Sequence, residues 1–369
     1  MDMGRLEYVR TATMILVLLL CLNGMEKVNS ESSSVPALFV FGDSSVDVGN
    51  NNFLNSMAKA NFFPYGIDFS NGSTGRFSNG KSLIDFIGEF LDVPSPPPFA
   101  DLSSVGSGIL NGVNFASASG GILDESGRHY GERYSLSQQV LNFNDVLSKY
   151  KTMMNASTLS QYLAKSITIM VAGNNDYINN YLMPELYTTS VNYTTQEFGK
   201  LLVNNYMQKI MTLYNFGLRK FFLAGIGPLG CTPNQRARGL APPGNCVDSV
   251  NQMVGPFNEG LRSTVDQLNK NHPDAIFVYG NSFHVLGDII NNPNAYSLTI
   301  VDRACCGIGI YRGQISCLPL QFPCLLRNQY VFWDAFHPTE SVAYVLAWRA
   351  HNGPPEDSYP INIKQMALH

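Results

Sequence analysis

The chain has no basic tract, no CxxC pair, no H-E-x-x-H segment and no internal repeat. Each absence removes a class of function. Without clustered Lys and Arg, and at a net charge of −4, nucleic acid is not an expected partner. Without CxxC, or histidines grouped near the cysteines, a zinc site is a poor reading. Charge is sparse: 14% of the 369 residues, against 45% apolar, which is enough to fill a large core. There is also no second long apolar run after the first, "TATMILVLLLCLNG", which follows Arg5 and Arg10 and precedes "VNSESSS". That run is short for a membrane span and has the order of a cleaved secretory signal. Residues 1–30 are therefore read as a signal peptide and 31–369 as one domain, with no integral membrane segment in the mature chain. No terminal Lys-Asp-Glu-Leu retention signal follows.

The cysteines agree with export. Cys21 lies in the signal, leaving Cys231, Cys246, Cys305, Cys306, Cys317 and Cys324, all in the C-terminal half. An even set in a secreted chain suggests disulfides, with 15 pairings open for six cysteines. Adjacent Cys305 and Cys306 are expected to reach different partners. Sequons at Asn71, Asn155 and Asn192 are candidate glycosylation sites.

Short apolar runs bounded by turn residues mark strands: "ALFVF" (37–41), "GVNFA" (112–116), "ITIMVA" (167–172), "KFFLAG" (220–225) and "AIFVYG" (275–280). Most lack polar alternation, as expected of parallel strands covered on both faces. Helical stripes lie between them. Phe198, Leu202, Tyr206, Ile210 and Leu213 share one face of 194–217, which opens near a capping box in "TTQE" and stops at Gly217. The segment 249–270 repeats the plan, and a last helix is expected to start at Pro338. Alternating strands and helices predict the α/β class, a three-layer α/β/α sandwich around a parallel sheet.

Function in such sheets gathers beyond the C-terminal ends of the strands. There the chain places Gly42-Asp43-Ser44-Ser45, then "SASGG" (117–121), then Gly173-Asn174-Asn175-Asp176. "WDAFHP" precedes the last helix, with Asp334 and His337. A hydroxyl, amide donors, a histidine and a carboxylate are the parts of an acyl-transfer site. Asp-x-x-His in a tight turn lets the carboxylate hold one ring nitrogen and leaves the other to accept a serine proton. Asn175 and Gly120 or Gly121 are candidate oxyanion donors, with the Ser44 N–H. No G-x-S-x-G elbow occurs, which disfavours an α/β-hydrolase.

These segments together resemble the plant GDSL esterase/lipase family of the SGNH hydrolase superfamily. The matching text is "FVFGDSSVDVGNNN", "GVNFASASGGIL", "VAGNNDY" and "YVFWDAFHPTE", with "FFPYGIDF", "TGRFSNGK", "FFLAGIGPLGCTP" and "ACCGIGIYRG". The resemblance spans about Val35 to His351. It implies a flavodoxin-like sandwich, Ser44 as nucleophile and Asp334 and His337 as its partners. It also implies an oxyanion hole of Ser44, Asn175 and a glycine, Gly121 before Gly120. Ser45 stands where the family name has leucine. The implied activity is hydrolysis of carboxylic esters of small molecules, lipids or polymers, without cofactor, outside the cell in apoplast or wall. Transfer of the acyl group to another alcohol uses the same residues. A non-catalytic wall- or glycan-binding protein on this scaffold is the alternative from another class. His129, His272 and His284 read as surface or loop residues. Asp43, Asp47 and Asn50 read as loop supports, and Arg76 and Lys81 as parts of a hydrogen-bonded loop.

Overall fold

Side chains on the first strand alternate between two separate cores. In a computed structural model, which describes residues 35–102 and 106–369, strand β1 (Leu38–Gly42) sends Phe39 and Phe41 into one core and Leu38 and Val40 into another. This is the two-residue period of a strand buried on both faces. The expected signal peptide lies outside the described residues. Val35–His369 is one compact unit.

Strands β2 (Gly112–Asn114), β3 (Ile167–Val171), β4 (Lys220–Ala224) and β5 (Ile276–Gly280) join β1 in a parallel sheet of order β2-β1-β3-β4-β5. The five apolar runs thus form the five strands expected. Two further strands, β6 (Ile300–Ala304) and β7 (Tyr330–Phe332), pair in a small separate sheet. A two-residue strand, β8 (Ser358–Tyr359), adds antiparallel to the edge at β5.

Helices cover both faces. On the side of Phe39 and Phe41 lie α2 (Leu136–Met153), α3 (Ala156–Lys165), α4 (Thr195–Asn215) and α5 (Gly255–Asn271). On the other lie α1 (Leu83–Leu91), α7 (Glu340–Asn352) and α8 (Ile363–Leu368). α6 (Ser282–Asn291) packs with β7 and α7 in a third cluster. The α4 capping box forms, Thr194 with Glu197.

Two helix expectations are corrected. The segment 249–270 is not continuous: a short helix, Asp248–Met253, ends before α5 begins. Pro256, which has no N–H to donate back, sits at the start of α5, where proline is tolerated. The helix expected from Pro338 begins at Glu340 and is not the last, because α8 follows it. Pro338 bridges to Phe332, and the Thr339 N–H donates to the Val331 carbonyl, so both belong to the preceding turn.

The cysteines pair as Cys231–Cys246, Cys305–Cys324 and Cys306–Cys317. The neighbours Cys305 and Cys306 do take different partners. Asn71, Asn155 and Asn192 are all exposed. No helix among the described residues is long and apolar enough to cross a membrane.

Candidate active site

The loop after β1 is shaped by its first residue. Gly42 has φ 152°, and a Cβ there would lie 2.2 Å from the Val171 carbonyl oxygen of β3. Only glycine lets the chain leave the sheet this closely. Asp43 follows, and its carboxylate accepts from the Ser45 N–H (2.9 Å) and the Asn174 amide (2.8 Å). Burial pushes the Asp43 carboxyl up, against the pull of those bonds. Ser44 is left in the turn between these anchored residues.

The second half of the site comes from the far end of the chain. The Trp333 N–H donates to the His337 carbonyl (2.8 Å), closing the turn that holds Asp334 and His337. Asp334 is fully buried. Its carboxylate accepts from the backbone N–H groups of Phe336 (2.9 Å) and His337 (2.8 Å). The His337 ring lies with Nδ1 2.8 and 2.9 Å from the two Asp334 oxygens and Nε2 2.7 Å from Ser44 Oγ. With Nδ1–H donating to the carboxylate, Nε2 is the acceptor for the serine proton. The Phe77 ring packs on the imidazole at 4.9 Å between centroids.

Tyr65, not singled out as a site residue above, donates its hydroxyl to Asp334 Oδ2 at 2.6 Å. Burial alone pushes the Asp334 carboxyl up. The charge on His337 and the hydrogen bonds from His337, Tyr65 and Phe336 outweigh burial and hold it below its ordinary value. Tyr65 itself is pushed well up, first by burial and then by the Asp334 charge, so it stays a neutral donor. The signal for Tyr65 was its place in "FFPYGIDF", but nothing local links it to a residue far along the chain.

The loops after β2 and β3 supply amides. Asn175 spends one Nδ2–H on the Gly120 carbonyl (2.9 Å), while its Oδ1 accepts from Asn179 (2.6 Å). Its amide has a second N–H, and Asn175 lines the cavity at Ser44. Gly120 and Gly121 are not among the lining residues. The Gly120 N–H is used on the Ser117 carbonyl at 3.0 Å. Gly121 is packed against a buried carboxylate: a Cβ there would sit 2.8 and 2.9 Å from the Asp176 oxygens. The Gly121 N–H has no acceptor among the described residues, but it is off the cavity wall. The residue of this loop that does line the cavity is Ser119, with φ 62°. The N–H groups of Ser44 and Ser119 have no acceptor among the described residues.

Buried carboxylates hold these loops together. Asp47 accepts from the N–H groups of Gly49, Asn50 and Ala118. Asp176 accepts from Ile122 and Leu123 N–H and the Ser126 hydroxyl. Burial pushes each carboxyl up to about 6. Asn50 donates to the Asn114 and Ala116 carbonyls. Arg76 forms a two-pronged pair with Asp85, and Lys81 pairs with Glu89, so these cations are structural here.

Ser44 and His337 open into a cavity of about 920 Å³, near the upper end of the roughly 300–1,000 Å³ usual for small-molecule sites. One lip is 56–65; the other is 314–319, inside the loop stapled by Cys305–Cys324 and Cys306–Cys317. Met57 and Leu318 stand exposed on these two segments, and Leu320 and Phe322 just beyond the second.

Comparison with known proteins gives the family. Residues 38–347 match the GDSL-like Lipase/Acylhydrolase family. One GDSL esterase/lipase of Arabidopsis thaliana is 58% identical over 90% of this chain and 89% of its own length. A second from that plant is 51% identical over 94% of this chain and 91% of its own. GDSL esterase/lipase 7 from the same plant is 46% identical over 95% and 99%. The chain therefore belongs to the GDSL esterase/lipase family, with its α/β/α fold, and is a carboxylic ester hydrolase.

Proposed function

We propose that this hydrolase works through a covalent acyl-enzyme on Ser44, with His337 as base and Asp334 as its orienting carboxylate. Ser44 Oγ attacks the ester carbonyl and passes its proton to His337 Nε2. The buried Asp334 carboxylate stabilises the imidazolium through Nδ1–H. The alcohol then leaves with the proton from Nε2. Water, deprotonated by the same nitrogen, attacks the acyl carbon and frees the acid and Ser44. Tyr65 is a positioning residue, acting through Asp334.

The tetrahedral oxyanion takes hydrogen bonds from the Ser44 N–H, the second N–H of Asn175 and the Ser119 N–H. Ser119 replaces the glycine donor expected from the motif, because Gly120 has already spent its N–H and Gly121 lies against Asp176. The reading extends to export. Removal of the first 30 or so residues, passage to the apoplast or wall and glycans at Asn71, Asn155 and Asn192 fit a chain with three disulfides.

The observation that carries this reading is the unbroken relay from Ser44 Oγ through His337 to a fully buried Asp334. Its test is p-nitrophenyl acetate hydrolysis and fluorophosphonate labelling of wild type and Ser44→Ala. Expected are labelling of wild type only and a kcat loss of about 10⁴-fold or more. Equal turnover by a folded Ser44→Ala protein would refute the serine mechanism.

A further inference from the structure

The cavity does not stop at Ser44. It continues between the sheet and α7. Phe222 and Ala224 of β4 line it on the sheet side, and Ala343, Leu346 and Ala350 of α7 line it on the other. The last three are spaced by three and four residues, so they share one helix face. Seven residues of α-helix span roughly 10 Å. Along that length the named walls are apolar, and Ala224, Ala343 and Ala350 keep the bore open with small side chains. Beyond Ala350 the lining turns polar at Asn281, Ser282 and the buried Asp357, which is held by Arg349.

We propose that this inner arm binds the acyl chain of a medium-chain ester, with the alcohol directed to the open mouth. The proposal rests on Ser44 being the nucleophile. Its walls fit a flexible hydrocarbon, and the polar end sets where that hydrocarbon must stop. The order of the two chemical steps selects the acyl side. The bond from Ser44 Oγ to the acyl carbon forms, the bond to the alcohol breaks, and the alcohol leaves first with the His337 proton. An alcohol lodged in the inner arm would be trapped behind the acylated serine. An acyl chain lodged there stays put while alcohol departs and water enters by the mouth.

The test compares two esters that carry the same chain on opposite sides, methyl octanoate and octyl acetate. Wild type is expected to favour methyl octanoate in kcat/KM by at least about 30-fold, since each buried methylene is worth about fourfold. Leu346→Trp, which narrows the arm at a half-buried position, should erase most of that preference. It should keep p-nitrophenyl acetate turnover within about threefold, which also reports that the variant is folded. Ala343→Phe, on the same helix face, should do the same. Equal rates for the two esters in wild type, or a preference for octyl acetate, would overturn the assignment while leaving the serine mechanism intact. So would wild-type turnover of p-nitrophenyl acetate with neither methyl octanoate nor octyl acetate cleaved. A wild type inactive on all three esters and unlabelled by fluorophosphonate would instead sink the serine mechanism, and this assignment with it.

Discussion

Ser44 and His337 face each other from regions built in different ways. The loops after β1, β2 and β3 contain no cysteine. They are held by buried polar side chains: Asp47 and Asp176 gather backbone N–H groups, and Asn50 donates to backbone carbonyls. The Asp334–His337 side follows the paired strands β6 and β7 and the loop between them, which two disulfides staple. A buried polar network fixes atoms closely but depends on every partner and on protonation. A covalent staple ignores pH and can hold apolar side chains out in solvent, as at Leu320 and Phe322. The first kind of support lies under the loops that carry Ser44 and Asn175, and the second under a lip that stands without a core behind it.

The stapled region should show the largest effect. Replacing Cys305 and Cys324 together by Ser should lower unfolding free energy by about 3 kcal/mol, from the loop entropy returned to the unfolded chain. Denaturant titration measures it. Reductant should bring wild type to or below the variant, and a wild type indifferent to reductant would show that the staple contributes little.

Tyr65 crosses between the regions. It belongs to the N-terminal half, yet it packs in the cluster of Cys305, Cys306, Cys317 and Trp333 and donates to Asp334. Tyr65→Phe removes one charge-assisted hydrogen bond and little volume, so kcat should fall about tenfold with KM little changed. An unchanged kcat would reduce Tyr65 to packing.

The smallest effect tests the polar side by pH. Burial raises the Asp176 carboxyl from 3.8 to about 6. Between those values the folded protein holds a proton on Asp176 that the unfolded chain does not. The resulting stability is full below about pH 4 and is lost as pH rises through about 6. The advantage of wild type over Asp176→Asn should therefore grow by about 1 kcal/mol from pH 7 to pH 5. A constant difference would place the Asp176 carboxyl at an ordinary value.

Much of this architecture was legible in one dimension. Five apolar runs became five buried strands because a parallel sheet covered on both faces leaves no alternation to hide them. The contacts of His337 with Ser44 and Asp334, and the place of Asn175 on the same cavity, were expected because each residue lies in a short motif at a strand end or helix entry. Tyr65 was not, since its partner is 269 positions away and no periodicity joins them. That Ser119, and neither glycine, lines the cavity was not expected for another reason. Glycine reads as the residue that frees an amide, but here the left-handed residue is a serine, and both glycines serve close packing. Pro338 misled because a proline suited to begin a helix is equally suited to close the turn before it. β8 has two residues and no local signature.

One feature of the Asp334 turn has an optical consequence. The chain has two tryptophans. Trp333 is fully buried beside Asp334, with its ring against Tyr65 and no hydrogen-bond partner for Nε1 among the described residues. Trp348 stands on the outside of α7, 45% exposed. An aqueous quencher such as iodide silences the second indole and leaves the first. The emission that survives comes from the residue next to Asp334 in the chain, so it reports the integrity of the Asp334 turn by light, without label or substrate turnover.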